Sequence, residues 1–234
     1  MEWRTDALVL RTADYGENDK MLTLLTADRG KLAAGIKGVR KAGAKLRFAA
    51  QPFCFAEYVL ATRGGRNTVA SASLYDGFYP LRENVNAYYA AAVVMEACDK
   101  LMYEGEPCGA LFVAAVTALK ELCAEAPAGT LVKFLLAALA EAGYPVKADL
   151  CPVCGRVPAG RMRFDMESGA FTCADCSEGA PASEVTYRAV RAALGEGEGS
   201  QEGETRALRL LKAYFANKTD GELKALVQYL ALPQ

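Results

Sequence analysis

Apolar and polar positions alternate in short runs over residues 1–80, and the spacing then changes to that of helices. "TDALVLRTAD" (5–14) alternates and ends polar, and "KMLTLLTADRG" (20–30) runs into a turn at Asp28–Gly30. "KLAAGIKG" is a third candidate strand. The aromatic and β-branched "PFCFAEYVLAT" is a fourth, and "TVASASLYDGFY" a fifth, beyond the compact "RGGRN" turn (63–67). A short helix fits around Ala44–Ala50, between the third and fourth strands. Five strands with a helix before the fourth is the order of an OB barrel.

After Pro80 the chain is alanine-rich. In "NVNAYYAAAVVMEACDKLMYE", Val85, Tyr88, Ala92, Met95 and Met102 recur at helical spacing and read as a core-facing stripe. "CGALFVAAVTALKELCAEA" and "GTLVKFLLAALAEAGY" repeat the helical pattern, with Gly143 and Pro145 closing the latter. Helix resumes at "SEVTYRAVRAAL" with Ser183 as N-cap, then "GEGEGSQEGE" (195–204) reads as a flexible acidic loop before two last helices. The expected architecture is α+β: an OB-fold β-barrel over 1–80 for nucleic acid, then a helical domain over 81–234 with an inserted cysteine module at 146–182.

That insert carries Cys151, Cys154, Cys173 and Cys176, as C-x-x-C, eighteen residues, C-x-x-C. Two residues between thiolates let one tight turn present both sulfurs to one ion, and two such turns complete a tetrahedron. In "CPVCG" the proline stiffens the turn and Gly155 permits positive φ, while "MRFDMESGAFT" between the pairs alternates like a ribbon hairpin. A redox dithiol reading expects one such motif near a βαβ unit, and disulfides do not suit a cytoplasmic setting. Four cysteines close the metal shell, so the expected cofactor is one structural Zn2+ per chain. Cys54, Cys98, Cys108 and Cys123 lack ligand spacing and read as small core residues.

Composition removes functions. There is no histidine among 234 residues, so the usual general base is missing. No apolar run reaches the ~18–20 residues that span a bilayer, and "MEWRTDALVL" does not read as a secretory leader. The expected location is the cytoplasm. The near-neutral total hides an asymmetry: residues 1–79 hold twelve basic and eight acidic side chains, the remainder fifteen and twenty. "RGKLAAGIKGVRKAGAKLR" (29–47) alone has seven cations and no acid. A charge run of this kind is commonly a solvated loop, but Gly35, Gly38 and Gly43 would leave amides open to phosphate, and the stretch falls near the face by which OB barrels hold single strands. Arg29, Lys31, Lys37, Arg40, Lys41, Lys45 and Arg47 are therefore candidate nucleic-acid-binding residues, with Arg63 and Arg66 extending the patch. Phe48, Phe53, Phe55 and Tyr58 lie nearby, but at least half must fill the barrel, and none is assigned to base stacking. "GIKGVRKAG" lacks the spacing of a nucleotide-binding P-loop.

The chain resembles the bacterial RecO family of DNA repair proteins. The resemblance rests on "ALVLRTADYGENDKMLTLLTADRGKLAAGIKGVRK", on "AAQPF" after it, and on the four-cysteine insert within a helical C-terminal part. It implies binding of single- and double-stranded DNA and annealing of complementary strands. It also implies partnership with RecR, in many bacteria RecF, and the acidic C-terminal tail of single-strand-binding protein, so that RecA displaces that protein. No bond-making is expected. An RNA-binding accessory factor with the same parts, and a zinc-dependent nucleic-acid-modifying enzyme, remain as rivals; RNA affinity and a turnover assay separate them.

Overall fold

The computed structural model describes residues 1–124, 128–219 and 221–233. Five strands form a closed barrel: β1 (Glu2–Tyr15), β2 (Asp19–Thr26), β3 (Gly30–Ile36), β4 (Phe55–Arg63) and β5 (Arg66–Asp76), in the order β1-β2-β3-β5-β4. The barrel closes through β1 against β4, and through the parallel register of Ala34 with Asn67 and Gly35 with Thr68. This is the OB arrangement. The expected short helix shrinks to one 3-10 turn, Phe48–Ala50, held by the buried Tyr58 hydroxyl donating to the Ala49 carbonyl at 2.8 Å.

The run "ALVL" in β1 is apolar without alternation because it is buried on both faces. Ala7 and Val9 point into the barrel, whereas Leu8 and Leu10 join the core of the helices. The helices are α1 (Val85–Leu101), α2 (Gly109–Ala124), α3 (Ala128–Glu141), α4 (Glu184–Ala193), α5 (Gln201–Lys218) and α6 (Lys224–Ala231). Asn84 caps α1, its side chain accepting the Ala87 amide, and Ser183 caps α4 by accepting that of Thr186.

Two readings are corrected. The buried residues of α1 are Ala87, Ala90, Ala91, Val93, Val94, Met95, Ala97, Cys98 and Leu101; of the expected stripe Met95 and Met102 are buried, whereas Val85 is 60% exposed and Tyr88 is also exposed. Small alanines seat this helix against α2, α3 and α6, so bulk was a poor guide to its inner face. The acidic loop ends at Ser200, whose side chain accepts the Gly203 amide. Glu202 and Glu204 then fall in the first turn of α5, where the helix dipole favours carboxylates.

Between α3 and α4 lies a small antiparallel sheet of β6 (Met162–Asp165), β7 (Ala170–Cys173) and β8 (Ala180–Ala182), ordered β7-β6-β8. The hairpin of β6 and β7 matches the expected ribbon; β8 was not anticipated. Phe164 and Phe171 meet edge to face at 5.1 Å, and reach Tyr214 of α5 and Tyr187 of α4 at 5.3 and 5.1 Å.

Candidate metal centre and nucleic-acid interface

Cys151 and Cys154 come from the turn before β6, Cys173 from the end of β7, and Cys176 from the turn after it. Their four Sγ atoms lie within 4.8 Å of one another, and those of Cys154 and Cys173 are 3.7 Å apart. A tetrahedral zinc–thiolate site, with Zn–S bonds near 2.3 Å, separates its sulfurs by about 3.8 Å. The first knuckle is closed by the Gly155 amide donating to Cys151 O at 2.8 Å, with Gly155 at φ 69°, and by the Cys151 amide donating to Arg156 O at 2.8 Å. The hydrogen bond from Arg156 brings the Cys154 thiol down to about 6, while the neighbouring Cys154 pushes Cys176 up to about 12. As thiolates, four sulfurs this close would need a compensating cation, and the donor set fits a divalent soft-ligand metal such as zinc.

The nine candidate cations do not form a single group. Lys31 Nζ donates to the Asp99 carbonyl oxygen at 2.5 Å and pairs with its carboxylate at 3.2 Å, which ties the barrel to α1. Arg29 lies over the Trp3 ring at 4.1 Å and beside Asp28 at 3.6 Å. Arg40 pairs with Asp14 at 3.3 Å and donates to the Gly16 carbonyl, binding the loop after β3 to the β1–β2 turn. Arg47 donates to the Lys41 carbonyl at 2.9 Å, inside the loop. Lys37, Lys41, Lys45, Arg63 and Arg66 are exposed and, among the described residues, have no acidic partner. Lys37, Lys41 and Lys45 rise from the loop after β3. Arg63 and Arg66 flank the β4–β5 turn, held beside β3 by Asn67 donating to the Ala33 carbonyl at 3.2 Å.

The glycines also divide. The Gly38 amide donates to Asp19 Oδ1 at 2.7 Å and Gly35 sits within the strand register, so neither offers the open amide expected of it. Gly43, at φ 73°, stands in open space. Phe53 and Tyr58 are buried, Phe48 packs against the barrel core, and Phe55 meets Tyr75 and Phe112 at 4.9 and 5.8 Å.

The N-terminal part, residues 1–78, matches the family model "Recombination protein O N terminal", and residues 82–226 match "Recombination protein O C terminal". The chain belongs to the RecO family. It is 35% identical over 229 residues to the "DNA repair protein RecO" of Myxococcus xanthus, covering 94% of each chain. The protein of that name from Anaeromyxobacter sp. strain K is 35% identical over 178 residues, covering 74% of this chain and 70% of its own. That of Syntrophomonas wolfei is 26% identical over 229 residues, covering 97% and 89%. The four cysteines fall within the RecO C-terminal match and all nine candidate cations within the N-terminal one. Of this RecO-family chain's described residues, no helix is long and apolar enough to cross a membrane. One residue of the barrel rim went unread in the sequence: Tyr15, 62% exposed at the end of β1. Its only signal was its place before Gly16 in the turn "DYGEND".

Proposed function

We propose that the chain is a DNA-binding recombination mediator in DNA repair, which holds single- and double-stranded DNA on its barrel and anneals complementary strands. With RecR, and RecF where present, it would help RecA onto single strands coated by single-strand-binding protein, whose acidic tail it would recognise. The observation that carries this reading, beside the family, is the set of unpaired cations that follow β3 and flank the β4–β5 turn next to it: Lys37, Lys41, Lys45, Arg63 and Arg66. Cations without acidic partners bind phosphate at the expense of condensed counterions, whose release drives association. Neutralising phosphates on two strands lowers the repulsion that opposes pairing, and no bond need be made or broken. Residues 1–80 serve as the DNA-binding domain. The net negative charge of the chain beyond residue 79 favours DNA contact at the barrel over contact at residues 81–234. One Zn2+ held by Cys151, Cys154, Cys173 and Cys176 would supply structure only, at work in the cytoplasm.

The test is charge reversal at Lys37, Lys41 and Arg66, which leaves the anchoring pairs of Lys31 and Arg40 intact. With about four cations on single-stranded phosphate, the wild-type log–log salt slope is on the order of −3. The triple variant should anneal poorly and show a shallower slope. Unchanged affinity at low salt in a folded triple variant overturns the reading.

A further inference from the structure

Cross-strand partners in an antiparallel sheet share a face. Tyr15 pairs with Asp19, Ala13 with Met21 and Arg11 with Thr23; Met21 and Thr23 in turn oppose Gly35 and Ala33. The alternate residues Leu22, Leu24, Ala34 and Ile36 fill the barrel, so Ala13, Tyr15, Met21, Thr23, Ala33 and Gly35 line its outer face. Ala13 and Ala33 are exposed, and Met21, Thr23 and Gly35 partly so. The result is a shelf of small side chains, about 13 Å from Arg11 to Tyr15. One end is walled by Asp99 with Arg11 and Lys31, at 3.5 and 3.2 Å. At the other end stands Tyr15, among the described residues the only aromatic one on this face.

Tyr15 is not held to the protein. Among the described residues its side chain has no hydrogen bond and no ring contact. Its backbone, by contrast, is fixed. The β1–β2 turn is bound to the loop after β3 by the Arg40 amide donating to Asn18 O at 3.0 Å, by Gly38 to Asp19, and by Arg40 to Asp14. A rigidly mounted, exposed ring therefore stands on the same rim as Lys37 and Lys41, over a floor too small to obstruct a planar ligand.

We infer that Tyr15 is a base-stacking platform, with Met21 and the small residues beside it as the floor, and that this shelf gives the barrel its preference for unpaired over paired DNA. The inference rests on the DNA-binding reading above and adds a discrimination the cations lack. Phosphate contacts do not distinguish a duplex from a single strand by its bases, whereas only a base freed from its stack can cover a protein ring.

The probes are a labelled oligodeoxythymidine longer than an OB barrel's footprint of ~4–16 nucleotides and a duplex of mixed sequence. Tyr15→Ala should weaken binding of the single strand roughly tenfold or more, and of the duplex less than about twofold, with an unchanged salt slope. Tyr15→Phe, which keeps the ring, should bind both like the wild type. Charge reversal at Lys37 and Lys41 should instead weaken both and flatten the slope. Equal loss on both probes in a folded Tyr15→Ala variant, or no loss on either while the wild type binds, overturns the assignment. A wild-type chain that binds neither probe overturns the DNA reading, and the platform with it.

Discussion

At the scale of single residues, the basic stretch holds positions of two kinds that its composition merges. Gly30 is buried at φ 58°, and a Cβ there would overlap the Glu106 carbonyl and stand 2.9 Å from that of Tyr103. Gly43 has a similar φ of 73° but nothing within reach. Gly30→Ala is thus expected to destabilise the protein by more than about 2 kcal/mol, combining backbone strain with a steric clash. Gly43→Ala should lose about 1 kcal/mol from strain alone. Urea unfolding of the two variants checks this, and equal losses would refute the close approach. The sequence showed four glycines among seven cations; it held no sign of which glycine faced a second part of the chain. Asp14 adds a pH dependence. Hydrogen bonding from Lys20, with the charge of Arg40, holds its carboxyl below the usual range. A depressed folded pKa gives stability that is present above the unfolded value of about 3.9 and lost as pH falls through the folded one. Hydrogen-exchange protection of the Arg40 amide should therefore persist at about pH 5 and fall below about pH 4. Asp14→Asn should remove that step.

At the scale of elements, periodicity located the five strands and the six helices, because each buries one face or both against a neighbour. It failed where burial was not carried by bulk, as in the alanine face of α1, and where three residues sufficed, as in β8. The cysteine module was legible through ligand spacing, and its place between helices through the interrupted helical pattern, but its packing against α4 and α5 was not. Cys173 ends β7, and the same strand carries Phe171 against Tyr187, with Phe164 of β6 against Tyr214. Metal and helix packing are therefore linked through one hairpin. Cys173→Ser should abolish stoichiometric metal binding and lower the stability of the helical half by at least about 2 kcal/mol. Metal analysis, and near-ultraviolet dichroism of the tyrosines with and without chelator, would show it. A chelated protein with an unaltered tyrosine signal would mean that the module folds without its metal.

At the scale of the whole molecule, barrel and helices are joined by more than the chain between them. The turn from β2 to β3 lies against residues 103–108: the Cys108 amide donates to Ala27 O at 3.0 Å, Gly105 to Arg29 O at 3.1 Å, and Lys31 to Tyr103 O at 3.3 Å. Asp99 then collects Lys31 and Arg11, and with the Lys31 and Asp99 side chains only 22% and 18% exposed this pair is shielded from solvent more than the other ion pairs of the barrel. Charge counting along the sequence cannot separate Lys31 from Lys41, since the difference lies in a partner 68 residues away. The structure separates them by environment, and that separation is measurable. Lys31→Ala should lower stability by about 1.5–3 kcal/mol, the range for a hydrogen bond to a charged group, while leaving DNA affinity nearly intact. Lys41→Ala should leave stability within about 0.5 kcal/mol and weaken DNA binding. Trp3 is the only tryptophan and reports on the barrel, whereas far-ultraviolet dichroism is dominated by the helices. In the wild type the two unfolding curves should coincide, and in Asp99→Asn they should part as the latch weakens. Coincident curves in that variant would show that the latch couples nothing, and an equal loss of DNA affinity in Lys31→Ala and Lys41→Ala would show that Lys31 works at the DNA surface.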